Sequence, residues 1–351
     1  MDKKNITGVS APSGARIKLA DAVPLDTPLI VQIFDMYACN LACKFCHYGL
    51  PKEKRPKLST KKVMDLKLYK KIVDDMTAFK KKVKLWRFCG AGESLLDKNI
   101  VEMVRYASEK QIAENIELIT NGVLLTPAMS TALIEAGLTR LRVSIYGLSS
   151  ETYKELCLAS VDFDEILNNV RFFYEENIRS GHKTGVYVKT MNCSLDAEDD
   201  EAKFVQLFGP YCDSYAVESV VPNVQGIDYS VWLKDGTPNY NALGVKLPAI
   251  TVCPQPFHLV TICPDGRVVP CSNETMRGIG NCNEQSMTDI WRGEVLRECQ
   301  CRMLDGTVSY GGVCETCTVV QCRPFPEDIL DHDVERLKTF YEQPAEGSCG
   351  G

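Results

Sequence analysis

Six short apolar runs, each followed by a stretch with helical spacing, constrain the fold of this chain more than any other feature. The runs cover 29–34, 83–88, 116–119, 141–146, 186–190 and 215–220. Several alternate in polarity, as strands do when their two faces meet different surroundings. Helix signals lie between them. Ser59 and Thr60 precede Leu66, Tyr69, Ile72, Val73 and Met76, and Asp97 precedes Ile100, Met103, Val104 and Ala107. Thr126-Pro127 opens a helix that Gly137 can close, Ser149 or Ser150 opens another, and 164–180 reads as a longer one ending at Gly181. Strands alternating with helices favour a parallel sheet covered by helices. The expectation is an α/β fold, a partial (β/α)6 TIM-like barrel over residues 29–225, after an extended N-terminal arm at 1–28. In such barrels the active site sits at the C-terminal ends of the strands.

Beyond the barrel, residues 226–252 contain Gly226, Gly236, Pro238, Gly244 and Pro248 and read as a linker. Residues 253–351 hold short strands, turns and 10 of the 17 cysteines, which predicts a small cysteine-rich α+β domain. In a secreted protein that density would suggest disulfides. The start, Met-Asp-Lys-Lys-Asn, lacks the apolar region of a signal peptide, so a cytoplasmic location and reduced, metal-binding thiolates are expected. A net charge of −6 argues against a nucleic-acid surface, and no run approaches the roughly 18 apolar residues of a membrane span. Neither nucleic acid nor membrane is therefore an expected partner.

The loop after the first run carries Cys39, Cys43 and Cys46 in a C-x3-C-x2-C spacing. A loop this short has no core of its own, and three thiolates so close can close around one metal centre. Three cysteines on a [4Fe–4S] cluster leave one iron open, since four normally fill it. A zinc site or a chance cluster is the alternative. The second run is followed by Cys89-Gly90-Ala91-Gly92-Glu93-Ser94, a Gly-rich turn that permits close backbone approach and then supplies a carboxylate. Thr120-Asn121-Gly122 follows the third run, Ser144-Ile-Tyr146-Gly147 ends the fourth, and Lys189 and Asn192 end the fifth. Each has a plainer reading as a strand-end cap or a solvated polar residue.

These segments, in this order, resemble the radical S-adenosylmethionine (SAM) enzymes. The resemblance implies that Cys39, Cys43 and Cys46 hold a [4Fe–4S] cluster whose open iron chelates SAM. One electron then cleaves SAM to a 5′-deoxyadenosyl radical. By the same resemblance Gly90, Gly92 and Glu93 bind the SAM amino group, although the family often has proline where this chain has Ser94. Thr120 and Asn121 are implied neighbours of the carboxylate and ribose, Ser144 of the ribose or methionine end, and Asn192, from its place at the end of the fifth run, is a further cofactor-binding candidate in the same cleft. Phe45 and Tyr48 are candidate adenine neighbours, because aromatic faces suit a purine. Cys89, Tyr146 and Lys189 are candidates for acid–base or hydrogen-donor roles, with Arg142, Tyr187 and Cys193 beside them.

Cys253 and Cys271 frame the Asp265-Gly266 turn signal, and Cys314-x2-Cys317-x4-Cys322 follows. This half resembles the SPASM or twitch extension, which holds one or two auxiliary [4Fe–4S] clusters and, by resemblance, covers the barrel mouth. Two ligand sets stay open: Cys253, Cys271, Cys314 and Cys317 for a single cluster; or Cys314, Cys317, Cys322 and Cys349 for one cluster, with Cys253 and Cys271 in an incomplete second one helped by Cys263, Cys299 or Cys301. A zinc ribbon is the alternative. The implied activity is hydrogen abstraction, for oxidation or epimerisation of a small polar metabolite such as a sugar, cyclitol or aminoglycoside. Modification of a peptide or protein competes with it, as does a non-catalytic iron–sulfur carrier. Flavodoxin or ferredoxin is the implied electron donor.

Overall fold

One ten-stranded sheet organises the chain. The computed structural model describes residues 4–5, 16–56, 59–195, 197–222, 224–233, 240–273 and 275–341. The strands are β1 (Lys4–Asn5), β2 (Ile30–Ile33), β3 (Leu85–Phe88), β4 (Ile116–Thr120), β5 (Arg140–Ile145), β6 (Gly185–Met191), β7 (Ser214–Glu218), β8 (Leu259–Ile262), β9 (Arg267–Val269) and β10 (Gly280–Asn281). Their order is β1-β7-β6-β5-β4-β3-β2-β8-β9-β10. All pairings from β1 through β8 are parallel, and β9 and β10 are antiparallel. β2 to β7 are the six barrel strands expected from the sequence.

The helices are α1 (Leu19–Ala22), α2 (Leu66–Met76), α3 (Ile100–Lys110), α4 (Pro127–Glu135), α5 (Ser150–Cys157), α6 (Phe163–Arg179), α7 (Asp200–Phe208), α8 (Gln255–His258), α9 (Met287–Arg292), α10 (Glu294–Leu304), α11 (Thr307–Tyr310), α12 (Val319–Cys322) and α13 (Val334–Tyr341). Local chemistry sets their starts. Asp65, Thr126, Ser149 and Asp162 each accept backbone N–H bonds at the heads of α2, α4, α5 and α6, satisfying donors a helix leaves unpaired. One strand face packs against this layer: Val31, Ile33, Trp86, Phe88, Leu118, Leu141, Val143, Val186 and Val188 are buried there. The Tyr69 hydroxyl of α2 donates to Met103 O and accepts from Trp86 Nε1, so the polar atoms of these two buried rings are paired.

Opposite residues in a parallel ladder point to the same face. The register therefore puts Thr261, Gln32, Arg87, Glu117, Arg140, Arg142, Tyr187, Lys189 and Glu218 together on the inner face of the barrel. That lumen is charged, whereas the outer face is apolar.

The ends of the chain do more than the sequence suggested. Where an extended arm was expected, α1 forms, and Leu19, Ala20 and Val23 pack with Leu247, Ile250, Phe257, Leu330 and Leu337. Two of those partners belong to the expected linker, so its apolar residues build core. Strand β8 comes from the C-terminal region yet pairs in register with β2. Among the described residues no helix is long and apolar enough to cross a membrane.

Candidate functional site

The cysteine loop leaves the end of β2 and is pinned by helix α5. Ala42 N and Lys44 N donate to Cys157 O and Leu156 O at 2.9 and 2.8 Å. The last carbonyls of α5, which a helix cannot pair internally, are thus used to hold the loop. Cys43 is buried, and Cys39 and Cys46 are half-buried. Burial pushes the Cys39 thiol up to about 12, with Glu93, Cys43 and Cys46 near enough to add to the rise. The Cys157 thiol lies against Cys43 and is the largest cause of that group's raised pKa. Leu41 N–H and Asn121 Nδ2 face Cys39 Sγ at 3.5 and 4.0 Å. Gathered thiols with N–H donors aimed at sulfur fit a cluster, whose iron charge offsets thiolates that burial alone disfavours. Among the described residues no three histidine, cysteine or carboxylate side chains converge closely enough to hold a single metal ion; a cluster contributes its own sulfide scaffold.

The Gly-rich turn after β3 packs on this loop. A Cβ at Gly90, where φ is +125°, would stand 2.4 Å from the Phe34 ring, and one at Gly92 would stand 2.1 Å from Met36 O. The close approach these glycines permit is to the cysteine loop itself. Glu93 is 3% exposed. Its carboxylate accepts from Thr120 Oγ1 and Asn121 N at 2.8 Å each, and from Leu95 N at 3.1 Å. Burial raises its pKa and these donors oppose the rise. Asn121 Nδ2 also donates to Asn40 Oδ1 at 2.8 Å. Glu93, Thr120, Asn121 and the cysteine loop are therefore one hydrogen-bonded unit. Ser94, in the place where proline is common, donates to Asp35 Oδ1 at 2.6 Å. Asp35 is fully buried, and burial pushes its carboxyl up to about 8.

Aromatic residues flank the loop. The Phe45 ring lies 5.2 Å from Tyr146 and 6.2 Å from Trp232. The Tyr229 hydroxyl donates to Phe45 O at 3.0 Å and accepts from Val224 N at 3.2 Å. Tyr229 and Trp232 fall in the segment that sequence reading took for a linker. The Tyr48 ring pairs with His47 at 4.3 Å and lies under Arg55.

Below the loop lies the charged lumen. Glu218 accepts from Arg142, from Lys189 Nζ at 2.6 Å and from Tyr187 OH at 2.9 Å. Burial opposes its ionisation, but Arg142 and Lys189 hold its pKa down at about 2. Glu117 pairs with Arg87 and, at 3.3 Å, with Arg140. Cys89 sits on the same face, and burial pushes its thiol up to about 12. Ser144 is buried beside Tyr146. Asn192 turns its carbonyl to Val220 N at 2.9 Å, closing β6 onto the segment after β7. Sequence reading did not single out Glu218, Glu117, Arg87, Arg140 or Asn40. The signal for the four charged residues was a charged side chain at the inward position of successive strands; Asn40, in the cysteine loop, carried none.

A second thiol site lies in the C-terminal region. Cys253, Cys271, Cys314 and Cys317 line one cavity, with Met276, Met303, Val319 and Val320. Asn273 N donates to Cys271 Sγ at 3.2 Å. Burial raises the Cys253 thiol, and Cys271, Cys317 and Cys314 add to it. Four thiols around an apolar cavity fit a metal cluster. The other candidates are not among the cavity's lining residues. Cys322 Sγ donates to Thr318 O at 3.0 Å, Cys301 Sγ to Tyr341 O at 2.9 Å, and Cys299 Sγ accepts from Tyr310 OH at 3.4 Å. Cys263 is fully buried and off the cavity wall. Cys349 lies outside the described residues. Cys253 and Cys271 flank the start of β8, because β9 runs back antiparallel to it.

Comparison with known proteins agrees with this layout. The model of the radical SAM superfamily matches residues 33–196, and that of an iron–sulfur cluster-binding domain, SPASM, matches 253–318. GTP 3′,8-cyclase of Alkaliphilus oremlandii is 31% identical over 177 residues, covering 50% of this chain and 51% of that protein. The chain thus spans about half the length of the curated relatives it matches. Among solved structures, Streptococcus suis SuiB bound to S-adenosylmethionine superposes with a TM-score of 0.60 at 15% identity, over 88% of this chain and 79% of that one. BtrN in complex with AdoMet and 2-DOIA superposes with a TM-score of 0.52 at 19% identity, over 86% and 98%. At such identities the likeness is one of fold.

Proposed function

This chain belongs to the radical SAM superfamily and carries a SPASM iron–sulfur domain, and from that premise we propose that it oxidises or epimerises a small polar metabolite of the sugar, cyclitol or aminoglycoside type. The two domains imply S-adenosylmethionine and [4Fe–4S] clusters as cofactors. The observation that carries the substrate reading is the lumen. Arg142, Tyr187, Lys189 and Glu218 line an inner face made of charged and hydroxyl groups, which suits a compact polar molecule and would desolvate poorly around an apolar one.

When bound, the cluster and SAM supply a carbon radical that takes a hydrogen atom from the substrate. Cys39, Cys43 and Cys46 would hold that cluster, and Cys253, Cys271, Cys314 and Cys317 an auxiliary one. Glu93, kept in place by Thr120, Asn121 and Leu95, would receive the SAM amino group. Phe45, with Tyr146 and Trp232, would present aromatic faces to the adenine and exclude water. Lys189, whose Nζ donates to Glu218 at 2.6 Å, would meet a substrate oxygen as an ammonium donor. Cys89, whose thiol stays protonated at neutral pH, keeps the S–H that epimerisation needs. The reductant would be of flavodoxin or ferredoxin type.

A second reading, modification of a peptide, has one observation in its favour: SuiB, also solved bound to precursor peptide SuiA, shares the fold. Deuterium transfer separates the two. Anaerobically reconstituted, reduced protein with SAM should form 5′-deoxyadenosine. Deuterium should enter it from perdeuterated sugars, cyclitols or aminoglycosides. Label arriving only from deuterated peptides would overturn the small-metabolite reading. A Cys39→Ala/Cys43→Ala/Cys46→Ala variant that still cleaves SAM would overturn the assignment of the first cluster.

A further inference from the structure

The lumen's charges do not balance. Arg87 and Arg140 share the single carboxylate of Glu117, and Arg142 and Lys189 share that of Glu218. Four cations thus face two anions on one inner surface. Arg323, behind α12, lies within electrostatic reach of both Lys189 and Cys89 while its Nη1 donates to Ser272 Oγ at 3.2 Å. It adds a fifth positive charge on the side of the C-terminal cavity. Glu218 already accepts from Arg142, Lys189 and Tyr187, so it has little capacity left. The Nε of Arg142 is buried with no hydrogen-bond partner. Buried cations that outnumber their counter-ions are costly, and a buried N–H donor without an acceptor adds to the cost. An anion carrying two or three acceptor oxygens would remove both penalties, because guanidinium and ammonium groups hold carboxylate and phosphate through charge-assisted hydrogen bonds.

We propose that Arg142, Lys189 and Arg323 receive an anionic group of the substrate, a carboxylate or a phosphate. This rests on the reading that the substrate enters the lumen, and it narrows that substrate to an acidic or phosphorylated metabolite. One other source of the same chemistry exists, the carboxylate of SAM itself, and competition distinguishes the two.

The test uses the anaerobically reconstituted holoenzyme and inorganic phosphate as probe. Phosphate titrated calorimetrically into the SAM-loaded protein should bind. Lys189→Met and Arg323→Gln should each weaken it roughly tenfold or more, as expected for loss of a charge-assisted contact. SAM affinity should be the same with and without saturating phosphate. Failure of phosphate to bind the wild-type protein, or equal binding by both variants, overturns the proposal. So does mutual exclusion of phosphate and SAM, because the cations would then serve the cofactor. Iron content and circular dichroism report on folding. Should Lys189→Met not fold, Arg323→Gln decides alone, since that side chain is exposed. Formation of 5′-deoxyadenosine, measured on the same preparation, keeps the proposals apart. Activity without phosphate binding refutes only the anion site, whereas intact clusters without SAM cleavage refute the enzyme reading whatever phosphate does.

Discussion

Replacing Gly92 with alanine asks whether the Gly-rich turn exists to hold the cysteine loop. The added Cβ would stand 2.1 Å from Met36 O and 2.8 Å from Ala38 O. Both obstacles are backbone carbonyls of the segment leading into Cys39, so no side-chain rotation relieves the clash. Ordinary contact begins at 3.4 Å, so one segment must move by about 1.3 Å. The segments are tied together by Glu93 N donating to Ala38 O at 2.8 Å. Overpacking of this kind costs about 1–3 kcal/mol, and loss of that hydrogen bond about 1 kcal/mol more. A fall in melting temperature of roughly 3–5 °C is expected for Gly92→Ala in a chain of 351 residues. The displaced loop should also lose its cluster, while iron in the C-terminal cavity stays. Gly185→Ala is the control, because its Cβ meets only Thr139 O at 3.8 Å, and it should change stability by less than about 0.5 kcal/mol. Calorimetry and iron analysis of both variants decide. A Gly92→Ala protein with wild-type melting and full iron content would refute the reasoning.

Three further outcomes follow from single sites. Burial raises the Asp35 carboxyl from 3.8 to about 8, so the folded chain keeps a proton that the unfolded chain releases near 4. That contribution is complete in acid and is lost as pH rises to about 8; Asp35→Asn should therefore gain on the wild type by more than about 1 kcal/mol between pH 5 and 8 in urea denaturation, and an unchanged difference would contradict the buried-acid assignment. Tyr229→Phe removes the hydroxyl that joins Phe45 O to Val224 N and should cost about 1–2 kcal/mol with iron content unchanged; equal melting temperatures would show that the hydroxyl contributes nothing. Cys322→Ala should leave iron content unaltered, because its thiol turns to Thr318 O rather than to the cavity; a loss of about four irons, one [4Fe–4S] cluster, would restore the wider ligand set.

What the sequence revealed and what it hid follow from one physical distinction. Strand and helix positions were legible because the face toward the helices must be apolar, and that periodicity survives in the residues themselves. The C-x3-C-x2-C loop was legible because clustered thiols have few alternative uses. The pairing of Asp35 with Ser94 was not, since Ser94 stood out only as a departure from proline and Asp35 not at all until the fold buries them together. The segment 224–233 looked like a linker because Gly and Pro near it mask Tyr229 and Trp232, whose value depends on meeting Phe45 some 184 positions earlier. The lumen was half-legible: Arg142, Tyr187 and Lys189 were noticed, but their shared anion Glu218 lies at the end of β7 and pairs across the ladder. The gathering of Cys253 with Cys271, Cys314 and Cys317 around one cavity was not legible, because spacing alone leaves Cys322 as plausible as Cys253.

The arrangement of the two sulfur sites is set by the sheet and not by a linker. β2 and β8 pair from Ile30↔Leu259 to Ile33↔Ile262, and Phe34 N continues the ladder to Ile262 O at 3.0 Å. The cysteine loop leaves the end of this pair, and Cys253 and Cys271 flank its start. Four paired residues rising about 3.3 Å each span about 13 Å. On the far side, Thr318 bonds to Pro222 O, Ser219 N donates to Ala242 O, and Leu243 packs on Tyr187 and Ala216. The C-terminal region therefore pairs with β2 and bonds to the segment that follows β7, while Ala242 and Leu243 of the preceding segment pack at β7 itself. A substrate held by the lumen cations would then lie between the cysteine loop and the four-cysteine cavity, within one rigid hydrogen-bonded frame. Domain hinging could not change that spacing without breaking the β2–β8 ladder, so regulation by separation of the two sites is disfavoured by those same bonds.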